Sequence, residues 1–262
     1  MIRAILAAPS VSSLFTSAIL QSDPMVSEPC VFVIGSNQSR QDYGFLNTSI
    51  QSELQDYFNE QVNCSAKDTS CAKSLTLDVI LNATDSLYAN AVNINAAATP
   101  DEPMRPVHDG DFVTSTLDST TPFPRVSKSI ILSTVLNEAG PTIYTGFTSP
   151  VNASVYNEVI LASFAEPEAT NLLQAPYYQV SPNATDTRPQ LETFGTDRIW
   201  RCPSWSFARS WTRNGGKAYV AQYTVGATYP DNEDTPFCTQ PGHVCHEDDI
   251  EIVVRHSIRS FS

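Results

Sequence analysis

The chain has 262 residues, of which 41% are hydrophobic and 10% aromatic, and this composition supports packed cores in one large domain or two small ones. Its formal net charge of −13 argues against binding to nucleic acid or to an anionic membrane surface, since both need a basic face. No run approaches the roughly 18 consecutive apolar residues of a transmembrane segment.

Four elements are predicted in the first hundred residues: a helix over 1–8 that ends at Pro9, a short buried strand over 18–21, a helix that begins at 48 or 49, and a helix near 74–88. The strand runs into Ser22-Asp23-Pro24, which is typical of a turn. Ile50, Leu54 and Phe58 recur every four residues, which predicts one apolar helix face. Residues 90–105 are predicted to be a connection, because they show no clear period.

The second half of the chain repeats the change from strand to helix. Lys128–Val135 is a nearly continuous apolar run, as expected of a strand covered on both faces. Pro141 suits the first turn of a helix. The remaining predictions are a helix over 154–164, a helical region over 190–214 divided at Gly195 and Pro203, and a strand over 217–225. This order predicts an α/β fold with a mainly parallel sheet flanked by helices.

Glycosylation and cysteine patterns indicate a secreted, extracellular protein. Six N-x-S/T sequons occur, where about three would arise by chance: Asn37, Asn47, Asn63, Asn82, Asn152 and Asn183. The six cysteines are consistent with the same oxidising compartment.

Cysteine spacing predicts two short disulfide-closed loops. Cys64 and Cys71 are seven residues apart, as are Cys238 and Cys245, and both pairs lie in polar, loop-like sequence. Metal binding is the weaker alternative, because no C-x-x-C occurs and the histidines do not cluster with the cysteine pairs. Cys30 and Cys202 are left over; they could pair with each other, stay free, or each have lost a partner.

Glu138 and His246 are the candidate catalytic residues. In open α/β sheets, functional sites form at the carboxyl ends of the strands. Glu138 follows the predicted strand that ends at Val135, and His246 lies in the long loop after the strand over 217–225. A carboxylate on one ring nitrogen fixes the tautomer of a catalytic histidine. His243 is the local rival, three residues earlier in the same cysteine-closed loop.

A serine nucleophile of the usual kind is missing from these 262 residues. The nucleophile elbow of α/β-hydrolases has the form G-x-S-x-G, in which the glycines permit a strained strand-to-helix turn. Ten glycines are present, and no two of them are four residues apart. No glycine-rich oxyanion loop is present either. The sequence therefore contains an acid and a histidine in the expected order without the serine.

Several segments, taken in order, resemble the later part of a type-B carboxylesterase, the family that includes cholinesterases and fungal lipases. The matching segments are 1–6 with 14–23, like the helix after the elbow and the strand ending in a "QSG"-like turn; 64–71, like the short internal disulfide; 106–110, like "P-V-x-D-G"; 137–140, like the acid-bearing "(N/D)-E-(x)-G" turn; and 246–250, like "H-G-x-(E/D)-(I/L)". Glu247 departs from this pattern, because it stands where glycine is common.

The resemblance implies an incomplete α/β-hydrolase in which residues 1–262 are the C-terminal portion of a single domain. It implies hydrolysis of a small-molecule ester through a seryl acyl-enzyme in a full-length relative, with His246 as general base and Glu138 as its orienting acid. No metal or organic cofactor is implied. Two alternatives are a non-catalytic, cholinesterase-like binding or adhesion glycoprotein, and a truncated gene model of a complete esterase.

Overall fold

The computed structural model describes residues 2–25, 44–98, 103–118, 121–164, 166–227 and 233–254. The strands in these ranges are β1 Ser17–Gln21, β2 Leu46–Asn47, β3 Val107–His108, β4 Ser129–Val135 and β5 Lys217–Tyr223. The helices are α1 Ile2–Leu6, α2 Thr48–Val62, α3 Thr69–Ser74, α4 Leu77–Ile94, α5 Gly140–Gly146, α6 Ala153–Ser163, α7 Glu168–Gln174, α8 Arg188–Thr196, α9 Cys202–Arg213 and α10 Asp248–Val254. The predicted α/β class is confirmed.

The main sheet consists of three parallel strands in the order β1-β4-β5. The central strand is β4, whose Leu132 lies opposite Leu20 of β1 and Val220 of β5. Ile130, Leu132 and Val135 are buried, but Ile131 is 39% exposed on the other face, so the expectation of a strand covered on both faces is met only in part. Because the strands are parallel, the carboxyl ends of β1 and β4 lie at the same edge of the sheet.

One face of this sheet is covered by α1 and α9. Leu20 and Leu132 pack in one buried cluster with Phe207 and Trp211 of α9. The indole of Trp211 also donates a hydrogen bond of 2.9 Å to the carbonyl of Lys128, which directly precedes β4. These contacts hold α9 against β1 and β4, the two strands whose carboxyl ends carry the candidate site.

Helices α2 and α4 pack together beside the short parallel pair of β2 and β3. The helix predicted near 74–88 was too short at its end, because α4 continues to Ile94 through the first part of the predicted connection. Leu87 and Ala91 are buried in one cluster with Leu46 and Leu54. Alanine gives little hydrophobic contrast in the sequence, although its small size permits close helix packing.

The prediction that Gly195 divides the region 190–214 was wrong. Helix α8 continues through Gly195 to Thr196, and a π-helical turn over Asp197–Arg201 leads directly into α9. A Cβ atom at Gly195 would lie 2.7 Å from the Cβ of Ala139, so this glycine permits close packing. Pro203 lies in the first turn of α9, where its missing N–H is tolerated.

Candidate active site

Glu138 lies in a tight turn between β4 and α5 and is almost completely buried, with 1% of its surface exposed. Its side chain folds back over the turn, so that Oε1 accepts a hydrogen bond of 2.9 Å from the backbone N–H of Val135. The next helix begins at Gly140, where a Cβ atom would lie 2.9 Å from the ring of Phe237. The turn therefore packs closely against the loop that contains the histidine.

The loop over 238–245 is closed by the Cys238–Cys245 disulfide. Its end joins the acid turn through a parallel bridge between Asn137 and Cys245. Beyond it, the backbone turns sharply: the N–H of Cys245 donates to Oδ2 of Asp248 at 2.9 Å, and the N–H of Asp248 donates to the Cys245 carbonyl at 3.1 Å. His246 lies inside this turn, between the disulfide and α10.

These two turns bring the predicted pair together. Nδ1 of His246 lies 2.7 Å from Oε2 of Glu138, across 108 positions of sequence. The Glu138 side chain is fully buried, whereas 31% of the His246 side chain is exposed. This distance is within the range of a hydrogen bond. Nδ1 is engaged by the carboxylate, so Nε2 is the ring nitrogen on the side of the imidazole away from Glu138.

The surroundings shift the pKa of both members of the pair. Burial raises the pKa of Glu138 above its usual value, although hydrogen bonds from His246 and Val135 act to lower it. Burial by itself lowers the pKa of His246, but the hydrogen bond and charge of Glu138, together with the charges of Glu247 and Asp249, raise it overall. The raised pKa of His246 favours a proton on the imidazole, whereas the raised pKa of Glu138 makes its charged carboxylate less favourable.

Ser22 and Asp249 are buried beside the pair and were missed by the sequence analysis. Ser22, at the end of β1, donates a hydrogen bond of 2.8 Å to Oδ1 of Asp249, and Ser133 of β4 donates one of 2.7 Å to Oδ2. Asp249 is completely buried. The rule that parallel strands end at one edge could have identified Ser22, because it directly follows β1. Asp249 lies within the quoted histidine motif.

Trp200 packs beside the imidazole ring of His246. Its indole N–H donates a hydrogen bond of 3.0 Å to the carbonyl of Ser22, and the centre of its ring lies 5.3 Å from that of His246. This contact ties the π-helical turn to the end of β1 and places an aromatic surface against the imidazole.

The structure separates His246 from the other candidate histidines. His243 stacks on Phe237 with 3.9 Å between ring centres, and its Nδ1 lies 2.6 Å from the Phe237 carbonyl. His108 is half-buried in β3. His256 falls outside the described residues. The contact with Glu138 is thus made by His246.

Both predicted short disulfides are present, with Cα atoms 5.7 Å apart in Cys64–Cys71 and 5.6 Å apart in Cys238–Cys245. Cys202 is exposed, whereas Cys30 lies outside the described residues, so a Cys30–Cys202 bond stays a prediction. In the part of the chain that the structure describes, no group of three or more His, Cys, Asp and Glu side chains could hold a metal ion.

The sequon asparagines that the structure describes are all exposed: Asn47, Asn63, Asn82, Asn152 and Asn183. Two of these side chains also cap helices, since Asn47 accepts a hydrogen bond at the start of α2 and Asn152 does so at the start of α6. Asn37 falls outside the described residues. Across the same described ranges, no helix combines the length and apolar character that crossing a membrane requires.

A sequence model of the carboxylesterase family matches residues 1–260. With a parallel sheet flanked by helices and a carboxylate–histidine pair at the strand ends, the chain has the fold of an α/β-hydrolase. It belongs to the carboxylesterase family.

One curated relative and two solved structures indicate how much of such a protein the chain covers. The chain is 30% identical over 148 residues to the cAMP-regulated D2 protein of Dictyostelium discoideum, a match that spans 56% of the chain and 26% of that protein. A PNB esterase matches all of the chain with a TM-score of 0.57 and 13% identity, and the match spans 47% of the esterase. A thermophilic PNB esterase matches 98% of the chain with a TM-score of 0.52 and 14% identity, over 45% of its own length. The chain thus spans about a quarter of the curated relative and just under half of each esterase.

Proposed function

We propose that this chain supplies the acid and the general base of a serine carboxylic-ester hydrolase. The observation that supports this is the 2.7 Å contact between His246 Nδ1 and Glu138 Oε2, at the carboxyl edge of the sheet in a member of the carboxylesterase family. In this mechanism Nε2 of His246 accepts the proton of a serine hydroxyl as the oxygen attacks the ester carbonyl. The same nitrogen then gives the proton to the leaving alcohol, while Glu138 stabilises the imidazolium.

The serine in this proposal comes from polypeptide outside the 262 residues. The chain contains no G-x-S-x-G segment, and each of the two esterase structures is about twice as long as the part that matches it. Residues 1–262 would then be the later portion of a single α/β-hydrolase domain. The substrate would be a small-molecule ester, and the mechanism requires no cofactor and no nucleic acid.

We also propose that the protein is a secreted glycoprotein. Two disulfides and five exposed sequon asparagines support this. When the chain is secreted from eukaryotic cells, treatment with an N-glycosidase should lower its mass. Peptide mapping without reduction should recover Cys64 linked to Cys71 and Cys238 linked to Cys245. Free thiols at these four positions would contradict an oxidising compartment.

A non-catalytic binding glycoprotein is the second candidate, and the absence of a G-x-S-x-G segment favours it. In that case the fold would be retained for contact with a partner. A truncated gene model of a complete esterase is the third possibility. Sequencing the transcript upstream of the codon for Met1 separates them, because an in-frame G-x-S-x-G shortly before that codon supports the enzyme.

The decisive experiment compares the chain with a longer polypeptide that includes any such upstream segment. The longer polypeptide should hydrolyse short-chain nitrophenyl esters, and His246→Ala and Glu138→Ala should each abolish most of this activity. Removing one member of a catalytic triad in a serine protease lowers turnover by about ten-thousandfold to a millionfold. Activity that survives His246→Ala would refute the assignment.

The 262-residue chain provides the matching negative control. It should hydrolyse the same esters no faster than its own His246→Ala variant, because it has neither the serine nor the oxyanion-binding donors. It should also resist labelling by a serine-directed fluorophosphonate. Stoichiometric labelling of a serine within residues 1–262 would show that the nucleophile is present after all.

A further inference from the structure

Glu192 is a further buried carboxylate that contacts the acid turn and has no step of its own in the proposed reaction. Glu192, in α8, has only 4% of its surface exposed. Its Oε2 accepts a hydrogen bond of 3.1 Å from the side-chain amide of Asn137, and its Oε1 accepts one of 2.7 Å from the hydroxyl of Thr196. Both carboxylate oxygens are therefore used, and they point towards two different neighbours.

Thr196 carries one of these contacts on to the acid turn. Its hydroxyl oxygen accepts a hydrogen bond of 3.0 Å from the backbone N–H of Ala139, while its proton is donated to Glu192. Thr196 is completely buried, and Gly195 beside it allows the helix to approach the Cβ of Ala139 closely. Glu192 is thus linked to Asn137 and Ala139, the residues on either side of Glu138.

The link through Asn137 also reaches the histidine loop. The Asn137 amide donates to Glu192 and accepts from the backbone N–H of Val244 at 3.1 Å, two residues before His246. Its orientation is therefore fixed by partners on both sides. A rotated amide would place a donor against the Val244 N–H and an acceptor against a carboxylate.

We infer that Glu192 is a positioning residue, which holds the turn on both sides of Glu138 and, through Asn137, keeps that turn aligned with the loop of His246. This role rests on the proposed function, since it concerns the same acid and base. A buried carboxylate is costly unless hydrogen bonds compensate it. Here one hydrogen bond comes from Asn137 in the acid turn, and the other comes from Thr196, whose hydroxyl also accepts from the N–H of Ala139 in that turn. The Asn137 contact therefore depends on the turn being in place.

Glutamine cannot accept at both contacts. A carboxylate accepts at both oxygens, whereas a glutamine amide accepts at one end and donates at the other. If its oxygen faced Thr196, its NH₂ group would face the NH₂ group of Asn137. If its oxygen faced Asn137, its NH₂ group would donate to the Thr196 hydroxyl oxygen, and the Thr196 proton would lose its acceptor. Glu192→Gln thus keeps the shape of the side chain and weakens one of the two links, and Thr196→Val removes the link through Thr196 with little change in volume.

The test is an NMR titration of His246 in the 262-residue chain, assigned with a His246→Asn variant. Glu138→Gln sets the scale, because it removes the carboxylate partner directly. Glu192→Gln and Thr196→Val should each lower the pKa of His246 by about half of the fall seen with Glu138→Gln, since a loosened turn weakens the hydrogen bond that raises it. Thr196→Ser keeps the hydroxyl and should restore the original titration.

Thr193→Val is the matched control. Thr193 lies on the same helix, and its hydroxyl donates to the carbonyl of Pro189, within that helix, and not to the acid turn. This variant should leave the titration of His246 unchanged. An unchanged pKa in folded Glu192→Gln or Thr196→Val would overturn the inference. Loss of folding in both variants would overturn it as well, because it would indicate general support of the fold and not local positioning. The titration needs no ester turnover, so an inactive longer polypeptide would refute the proposed function and leave this result intact.

Discussion

Asn137 and Val244 are joined by two hydrogen bonds: the N–H of Asn137 donates to the Val244 carbonyl at 2.8 Å, and the N–H of Val244 donates to Oδ1 of Asn137 at 3.1 Å. Asn137 directly precedes Glu138, and Val244 lies two residues before His246. The alignment of the acid and the base is therefore set by the residues next to them. A change at Asn137 should alter the pair without removing either member.

Asn137→Asp should destabilise the fold, and more so at high pH. The aspartate keeps an acceptor for Val244 but replaces the amide that donates to Glu192 with a second carboxylate oxygen. Burial already raises the pKa of Glu192, and a neighbouring negative charge raises it further. We expect a loss on the order of 1–3 kcal/mol at pH 8, measured by urea unfolding, that diminishes at pH 5 as one carboxyl takes up a proton. An equal loss at both values would rule out repulsion as its cause.

Glu138→Gln should lower the pKa of His246, which Glu138 holds above its usual value by hydrogen bonding and charge. A histidine with a raised pKa in the folded state contributes stability that is fully present below about pH 6.5 and is lost as the pH rises through the folded-state pKa. The difference in unfolding free energy between the original chain and the variant should therefore be larger at pH 6 than at pH 9. An increase in that difference towards pH 9 would contradict the ion pair.

Local patterns in the sequence predict the central strand of the sheet and the positions of Glu138 and His246 near one edge of it. The apolar run before Val135 indicates a central strand, and parallel strands end at one edge, so Glu138 could be placed there. His246 could be placed because one of the quoted motifs contains it. In both cases the information lies within a few residues of the group concerned.

The supporting residues could not be predicted in this way. Glu192 lies 55 residues after Asn137, and Ser22 lies 227 residues before Asp249, so no local pattern connects them. Gly195 resembles a helix breaker in the sequence because its reason, the close approach of Ala139, is a tertiary contact. Polar residues that act through such contacts become visible only when the fold has placed their partners.

Glu247→Gly should stabilise the chain. Glu247 has a φ of +72°, which lies in the left-handed region that favours glycine, and glycine is common at this place in the motif that the segment resembles. We expect a gain of about 0.5–1 kcal/mol in unfolding free energy, after the entropy lost by glycine is subtracted from the relief of strain. Glu247→Gln is the control: it removes the charge that raises the pKa of His246 but keeps a side chain at the position with the strained backbone. It should lower that pKa without the gain in stability.

The second face of the main sheet should promote self-association. Ile19, Ile131 and Tyr219 form one row across the three strands and are 46%, 39% and 60% exposed. Parallel sheets are normally covered on both faces, and apolar patches left exposed tend to associate. The triple variant Ile19→Thr, Ile131→Thr and Tyr219→Lys should show less concentration-dependent association in analytical ultracentrifugation. Leu77→Thr, at an exposed site on α4, should have little effect. The same triple variant provides a suitable background for the histidine titrations.

The two disulfides offer a matched comparison, because each closes a loop with a sequence separation of 7. Replacing either pair of cysteines with serine should lower the unfolding free energy by about 2.5 kcal/mol, since the entropy gained by the unfolded chain depends mainly on loop length.

The effects of the two replacements on the candidate site should differ. Only Cys238–Cys245 directly precedes His246 and joins the acid turn through the bridge from Asn137. Its removal should lower the pKa of His246 in the same NMR titration, whereas removal of Cys64–Cys71 should leave the titration unchanged. Equal shifts in both variants would mean that the titration responds to overall stability, and the Cys238–Cys245 loop would then have no special part in holding the histidine against Glu138.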